Sequence, residues 1–221
     1  MLSLPDSLRP SAERLFADRL ELAERFTGML AEQGPERGLI GPREVERLWE
    51  RHILNCALMA DAIDPDASTL ADVGSGAGLP GVVLAIARPG VRVTLIETMQ
   101  RRATWLEEIE AELGLGLEVV RARAEDLHGA RSFDVVTARA VAALDKLARW
   151  TLPLVGEGGQ LLAMKGSSAA DELDAAQKLL RRLGGTDAQI SQYGVGEVEV
   201  PTTVVQVRRR VPASRKGDPR G

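Results

Sequence analysis

Residues 71–81 read Ala-Asp-Val-Gly-Ser-Gly-Ala-Gly-Leu-Pro-Gly, a glycine-rich run that ends a short apolar stretch. Glycine allows a tight turn and a close approach of the backbone to a ligand, and the N-terminus of a following helix offers free N–H groups. The run therefore predicts a strand, a turn and a helix, with a nucleotide-like cofactor at the turn. Glycines that only make a tight turn are the alternative.

The glycines fit two ligand-binding frames. Gly76-x-Gly78-x-x-Gly81 matches the fingerprint of dinucleotide-binding loops. We favour the frame that begins at Gly74, because this glycine directly follows the predicted strand and the other frame inserts two more residues before the turn. The predicted cofactor contacts in this loop are Gly74, Ser75, Gly76 and Gly78.

The sequence around the loop alternates β-rich runs with helical patterns. Such alternation predicts crossover units and a parallel sheet covered on both faces, which is a doubly wound, Rossmann-like α/β fold. We predict a mostly parallel seven-stranded sheet, with a late pair of strands at its end. The predicted strands are 70–73, 91–96, 117–122, 133–138, 160–165, 189–193 and 204–207, and the helices between them are 79–87, 99–113, 144–154 and 169–183.

The first third of the chain has the apolar spacing of helices at 10–33 and 43–63. We therefore expect three parts: a helical N-terminal segment over residues 1–66 packed on the core, a Rossmann-like domain over 67–207, and a basic, disordered tail over 208–221. The tail carries a net charge of +5, which leaves −9 for the remaining residues. A body this acidic argues against general coating of nucleic acid, so RNA contacts are expected from local patches.

The composition limits the class of protein. With 221 residues, of which 44% are hydrophobic and 27% charged, the chain is an ordinary globular protein. One cysteine and two histidines predict neither a disulfide nor a metal site. The longest mostly apolar stretch, residues 79–87, is far too short to cross a bilayer, and the first 15 residues match neither a secretory signal nor a transit peptide. We therefore expect a cytoplasmic protein without a membrane partner.

Polar residues follow the predicted strands at the edge where open parallel sheets bind ligands. Glu97, 23 residues after Gly74, suits the hydroxyls of a ribose; an exposed loop acid is the alternative. The turn Arg123-Ala124-Glu125-Asp126 suits the edge of an adenine, although Asp126 is equally suited to cap a helix. Arg139 is expected to face the site unless it forms a surface salt bridge. Lys165 is expected at the same rim, with a solvated strand end as its alternative.

The second helix carries a stripe of polar residues at four-residue spacing: Arg43, Arg47, Arg51 and Asn55. Its other residues include His52 and Cys56 on an apolar stripe, where a histidine is more often a core residue than a ligand-binding one and a cysteine is a small core residue. The three tryptophans also fall at core spacing. Candidate contacts to RNA phosphates are Arg43, Arg47, Arg51, His52, Arg123 and Lys165, although each arginine or lysine taken alone is more often a solvated charge.

Four separated motifs, in order, resemble the bacterial 16S rRNA guanine-N7 methyltransferases, also called the glucose-inhibited division protein B family. They are Arg51-His52-Ile-Leu, the glycine run, Arg139-Ala140 and Met164-Lys165-Gly166, and the similarity covers residues 39–207. The resemblance implies a class I methyltransferase fold and S-adenosylmethionine as methyl donor. It further implies a guanine in the decoding-region loop of small-subunit rRNA (position 527) as the target. By position it assigns Gly74, Leu79, Ala124, Glu125 and Arg139 to the cofactor.

The sequence departs from the family pattern in two places. Many members have Asp-Ser where this chain has Asn55-Cys56, and an Asn-Leu-Thr segment where it has Leu39-Ile40-Gly41-Pro42. A role of these positions in RNA contact is therefore not carried over to this chain.

Methylation at guanine N7 agrees with the residues present. The nitrogen has an exposed lone pair and no proton at neutral pH, so the reaction needs neither a base nor a covalent nucleophile, and positioning alone accelerates it. Amine methyltransferases typically carry an Asp/Asn-Pro-Pro-aromatic loop after the fourth strand, where this chain has Thr-Ala-Arg-Ala. We expect Arg139 to hold guanine, a phosphate or the cofactor carboxylate.

Two other functions remain open from the residues alone: an NAD(P)-dependent reductase that uses the second glycine frame, and a non-catalytic nucleotide-binding module. The acidic body also predicts that the RNA substrate is presented by the folded ribosomal particle rather than as free RNA. The sequence leaves the oligomeric state open, and we favour a monomer.

Overall fold

The computed structural model describes residues 2–139 and 141–210 of the chain. Seven strands form one sheet in the order β3-β2-β1-β4-β5-β7-β6. The strands are β1 Thr69–Val73, β2 Arg92–Ile96, β3 Glu118–Val120, β4 Phe133–Arg139, β5 Val155–Lys165, β6 Gly185–Tyr193 and β7 Thr202–Arg209. The strands β1 to β5 run parallel, and β7 lies antiparallel between β5 and β6.

Helices cover both faces of the sheet, because alternate residues of each buried strand enter two separate cores. Leu70 belongs to the core shared with the N-terminal helices, whereas its neighbour Ala71 belongs to the core on the opposite face. The α-helices that connect the strands are Gly81–Ala87, Gln100–Leu113, Leu144–Thr151 and Ala169–Arg182. This arrangement confirms the predicted α/β class with a mostly parallel seven-stranded sheet.

The N-terminal third is helical but less regular than its sequence predicts. The helix expected over 10–33 is two helices, Arg9–Phe16 and Leu20–Gln33, because the backbone turns at Ala17, whose φ is +47°. The helix expected over 43–63 consists of 3₁₀ turns at Pro42–Arg47, π-helical turns at Leu48–Leu54, one α turn at Asn55–Ala57 and 3₁₀ turns at Leu58–Ala62. Most apolar side chains of this segment are buried in the core that it shares with the sheet.

The boundary predicted for the basic tail is wrong. β7 continues through Arg209, and Arg208 forms an ion pair with Asp64. These two arginines therefore belong to the sheet, where they pair with residues of β5 and β6. The rest of the predicted disordered tail from residue 211 to residue 221 lies outside the described residues.

The sheet order creates a crevice beside the glycine-rich run. From β1 the chain moves outward to β2 and β3 and then returns to β4 on the other side of β1. Open α/β sheets bind ligands at such a reversal, outside the carboxyl ends of the strands. Val73 and Arg139 end the two strands that flank the reversal.

None of the helices within residues 2–139 and 141–210 combines the length and the apolar composition that a membrane span requires.

Candidate active site at the carboxyl edge of the sheet

The loop after β1 is held in place by its own polar groups. The hydroxyl of Ser75 donates to the carbonyl oxygen of Asp72 at 2.8 Å, and Oδ2 of Asp72 accepts the backbone N–H of Gly81 at 2.9 Å. Gly74, Gly76 and Gly78 all have positive φ, whereas Gly81 begins the following helix without one. The three left-handed glycines start directly after the strand, which agrees with the frame that begins at Gly74.

Glycine is required at Gly78 and Gly81 for different reasons. Gly78 has a φ of +95°, and a Cβ there would lie 2.6 Å from Val82 Cγ2. A Cβ on Gly81 would lie 2.3 Å from Leu95 Cδ2, so the helix packs against β2 at a distance that only glycine permits. The loop and the first turn of its helix therefore keep a fixed shape.

Asp72 is a buried acid beside this loop that the sequence did not single out. Its side chain is completely buried, and burial raises the pKa of its carboxyl to about 7. Oδ1 has no hydrogen-bond donor among the described residues. The signal that could have identified it is its place, because it is the last polar residue of β1 before the glycine loop.

Glu97 follows β2 and faces the same loop. Its carboxylate accepts the backbone N–H of Gly76 at 3.0 Å and that of Met99 at 2.9 Å, and the residue is only 3% exposed. Oε1 also accepts the hydroxyl of Thr98 at 3.4 Å, whereas Oε2 has a second lone pair that can accept a ligand hydroxyl. The alternative of an exposed loop acid is therefore wrong, because Glu97 is buried.

Two adjoining cavities flank the glycine loop. The first, here called the loop cavity, has a volume of about 460 Å³ and is lined by the loop, Glu97, His52 and Arg139. The second, the β3 cavity, has a volume of about 370 Å³ and is lined by Ile96 and by residues 122–125. Residues common to both cavities are Gly74, Thr98 and Val141.

In the polar turn after β3, three residues line a cavity and the fourth caps a helical turn. Ala124 is buried and Glu125 is exposed, and both line the β3 cavity together with Arg123. Asp126 instead accepts the backbone N–H of Arg123 at 3.2 Å, which caps the 3₁₀ turn Ala124–Leu127. The capping alternative for Asp126 therefore agrees with the geometry.

Trp150 also lines the β3 cavity, from the helix Leu144–Thr151. The expectation that all three tryptophans are core residues holds for Trp49 and Trp105, which are buried, but not for Trp150, which is partly exposed. Helical spacing indicated the inner side of its helix, but it could not show that the residue also borders a cavity. An aromatic face beside Ala124 suits a planar ring.

A third cavity, the basic cavity, lies on the other side of Arg139. Its volume is about 530 Å³, and its polar lining includes Arg51, Asn55, Lys165 and Glu172. A fourth, the outer cavity of about 440 Å³, shares Arg51, Asn55 and Lys165 with it and adds Arg47 and Glu50. The basic cavity and the loop cavity have Arg139 and Val141 in common.

Lys165 is neither a solvated strand end nor a free cation. Its Nζ donates to the carbonyl oxygen of Ala142 and to Oε2 of Glu172, both at 2.7 Å, and the side chain is 8% exposed. Partial burial works to raise the pKa of Glu172, but the hydrogen bond from Lys165 and those from its other partners outweigh it and lower that pKa. The pair fixes the segment after β4 to the helix Ala169–Arg182.

The remaining predicted RNA contacts lie in different places. Arg47 and Arg51 line the cavities just described, with Arg47 paired to Glu50 at 3.1 Å and Arg51 to Glu44 at 3.5 Å. Arg43 is exposed and lies outside these four cavities. The predicted stripe of four residues is therefore interrupted, because the segment changes from 3₁₀ to π-helical turns between Arg43 and Arg51.

Arg139 lies between the loop cavity and the basic cavity, and its guanidinium contacts the N-terminal segment. Nη1 donates to Cys56 Sγ at 3.2 Å, and Nη2 contacts Nδ1 of His52. Cys56 is fully buried, as expected for a small core residue, and burial raises the pKa of its thiol. Ala140, which the resemblance groups with Arg139, lies outside the described residues.

Solved structures share this architecture. Ribosomal protein L11 methylase from Lactobacillus delbrueckii subsp. bulgaricus aligns with a TM-score of 0.55 and 16% identity over 73% of this chain and 79% of its own. A SAM-dependent O-methyltransferase from Thermotoga maritima aligns with a TM-score of 0.56 and 15% identity over 78% and 72%. The fold is that of the class I S-adenosylmethionine-dependent methyltransferases.

The sequence comparisons are more specific. The model of the family described as rRNA small subunit methyltransferase G (GidB) matches residues 19–199. A protein of Renibacterium salmoninarum named ribosomal RNA small subunit methyltransferase G is 53% identical over 94% of this chain and 97% of its own length. A Nocardioides protein of the same name is 57% identical over 93% and 81%. The chain belongs to this family.

These findings confirm the predicted family, the class I methyltransferase fold and S-adenosylmethionine as the cofactor. They do not favour the alternatives of a reductase or a non-catalytic module. The observed loop also fits this cofactor. It offers backbone groups and a buried carboxylate at Glu97, both of which line the loop cavity.

Proposed function

We propose that this chain transfers a methyl group from S-adenosylmethionine to N7 of a guanine in the decoding-region loop (position 527) of 16S rRNA, on the small ribosomal subunit in the cytoplasm. The observation that carries the proposal is the junction at Arg139 and Val141, where a cavity beside the glycine loop meets a cavity lined by basic residues. A methyl donor on one side of this junction would face a base on the other.

The cofactor would occupy the loop cavity and the β3 cavity. Glu97 would accept ribose hydroxyls, and Ala124 and Glu125 would border the adenine. When bound, S-adenosylmethionine supplies an activated methyl group on a sulfonium. The buried carboxylate of Glu97 is held by two backbone N–H groups, so it is already oriented before a ligand arrives. Four of the predicted loop residues line the loop cavity and would contact the cofactor: Gly74, Ser75, Gly76 and Leu79. Gly78 lines neither cavity and contributes through the shape of the turn.

The guanine would enter the basic cavity with Arg139 beside it. The planar guanidinium suits guanine O6 or an adjacent phosphate. Arg47 and Arg51 line the adjoining outer cavity and suit the phosphates of the flanking nucleotides. Lys165 contributes its charge from a partly buried ion pair, so its main effect is to hold the wall of the basic cavity.

Methyl transfer to guanine N7 requires only that the donor and the base be positioned correctly. The groups around the junction of the two cavities are consistent with this requirement. Cys56 is buried with a raised thiol pKa, which argues against its use as a nucleophile. The carboxylates of Glu97 and Glu172 are engaged in hydrogen bonds that hold the structure. A well-oriented transfer can gain roughly 7 to 11 kcal/mol from proximity alone.

The experiment is transfer of a tritiated methyl group to unmodified small subunits, followed by chemical cleavage at 7-methylguanine. We expect one cleavage site in the decoding-region loop with intact subunits, and little transfer to a short naked hairpin of the same sequence. Arg139→Ala should abolish transfer, whereas Arg182→Ala, an exposed arginine on the helix Ala169–Arg182, should not. Transfer to another base, or full activity of Arg139→Ala, would contradict the proposal.

A further inference from the structure

The guanidinium of Arg139 is held by a chain of side chains that starts in the N-terminal segment. Oε2 of Glu44 lies 2.9 Å from Nε2 of His52, and Nδ1 of His52 contacts Nη2 of Arg139. The three residues come from the 3₁₀ turns Pro42–Arg47, the π-helical turns Leu48–Leu54 and the end of β4. All three line the loop cavity.

The partners determine the protonation state of His52. A guanidinium has only donors, so Nδ1 must accept and carries no proton. Nε2 then carries the single proton of the neutral ring and donates it to the carboxylate of Glu44. The side chain of His52 is 13% exposed, and both of its nitrogens are engaged inside the protein. A direct contact of His52 with RNA is therefore not the role this geometry favours.

We propose that Glu44 and His52 are positioning residues that aim the guanidinium of Arg139 at the junction of the two cavities, and that protonation of His52 releases it. This inference rests on the proposed function, since it assigns Arg139 to the substrate side of the same site. It also gives the N-terminal segment a part in the site beyond its packing on the sheet.

The direction of the pH effect follows from the groups around His52. Glu44, Arg51 and Arg139 are the charged groups that act on the ring: burial and Arg139 lower its pKa, and Glu44 opposes them. Protonation would place a second N–H against the guanidinium and lose the hydrogen bond. The turnover number should therefore fall on the acidic side of the pH profile. Asp72, with its pKa of about 7, and the buried thiol of Cys56 also interact with Arg139.

Two isosteric variants separate positioning from packing. In His52→Asn the amide oxygen can replace Nδ1 and still accept from Arg139, whereas in His52→Gln the amide nitrogen replaces Nε2 and keeps only the contact with Glu44. We expect His52→Gln to lower the turnover number at pH 8 by about 10- to 100-fold, the range that misplacement of a catalytic geometry costs. His52→Asn should recover most of that loss and should lack the acidic limb set by the histidine.

Glu44→Gln tests the far end of the chain. The amide oxygen can still accept from His52, but the negative charge that raises the pKa of the imidazole is gone, so the acidic limb should move to lower pH. Affinity for S-adenosylhomocysteine, measured by calorimetry, and the unfolding midpoint serve as controls. Because His52 lines the loop cavity, these controls are compared between His52→Asn and His52→Gln, and both quantities should be similar in the two variants.

Equal activity of His52→Asn and His52→Gln, or an acidic limb that persists unchanged in His52→Asn, would overturn the inference. Failure of the proposed function looks different, because the wild-type protein would then leave no 7-methylguanine in the small subunit. An active wild type with two equivalent His52 variants refutes only the positioning role.

Discussion

The burial of Asp72 predicts a specific dependence of stability on pH. Its pKa rises from 3.8 to about 7 in the folded protein, mainly because burial disfavours the charged form. The folded state therefore binds this proton more tightly than the unfolded chain does. The contribution of Asp72 to stability is complete below pH 3.8 and is lost as the pH rises through 7. The test compares the cofactor-free protein at about pH 8 with the same protein at about pH 6.

The magnitude follows from the two pKa values. A carboxyl whose pKa rises from 3.8 to about 7 destabilises the fold by roughly 4 kcal/mol once the pH is well above 7. Between pH 8 and pH 6 the group passes from mostly charged to mostly protonated in the folded state. Lowering the pH from about 8 to about 6 should therefore raise the free energy of unfolding by about 1 kcal/mol through the protonation of Asp72 alone.

Urea denaturation at both pH values measures this difference, with Asp72→Asn as the control that cannot titrate at this position. The asparagine oxygen can still accept the backbone N–H of Gly81, so the loop keeps that hydrogen bond. Because other groups titrate in both proteins, the quantity to compare is the change in unfolding free energy between the two pH values. Equal changes in the two proteins would contradict the raised pKa of Asp72 in the folded state.

Two further substitutions test the packing of the loop and the partly buried ion pair of Lys165 and Glu172. Gly81→Ala should lower the free energy of unfolding by about 1 to 3 kcal/mol, because its Cβ would collide with Leu95. The control is Gly90→Ala, where a Cβ meets open space. Equal effects of the two substitutions in chemical denaturation would contradict the close packing at Gly81. Lys165→Met should cost about 2 kcal/mol because Glu172 loses its partner, and adding Glu172→Leu should restore part of the loss; if it restores none, the pair is not what holds this region.

The sheet was largely predictable because alternation of strands and helices fixes which residues are buried. The errors lie where the pattern is weak. β5 begins at Val155 rather than at residue 160, since glycines at 156, 158 and 159 conceal its first half. Similarly, no glycine or proline marks the turn at Ala17, where one predicted helix becomes two. Tertiary packing decides such places, and local spacing does not record it.

Where a motif follows a strand, as at Gly74, Glu97 and Arg139, its position beside the loop cavity was predictable. It was not predictable where the role of a side chain depends on a partner elsewhere in the chain. Lys165 looked like a free cation because nothing near it in a parallel strand indicates an acid, and Glu172 reaches it from the following helix. His52 and Arg139 meet although 87 positions separate them. Charge pairing across elements sets these roles, and spacing along one element cannot show it.

Most charged groups described at the sheet edge are engaged in ion pairs or hydrogen bonds within the protein. Lys165 pairs with Glu172, Glu97 accepts two backbone N–H groups, and Glu44 orients His52. An enzyme that moved protons would need such a group free beside its substrate, with a pKa matched to the transfer. Asp72 has a pKa of about 7, but it is fully buried and lines none of the four cavities. A methyl acceptor with an exposed lone pair removes that need, because the rate then depends on how well two ligands are aligned. This reaction therefore favours a site in which the acidic and basic side chains fix the positions of the groups that align the two ligands.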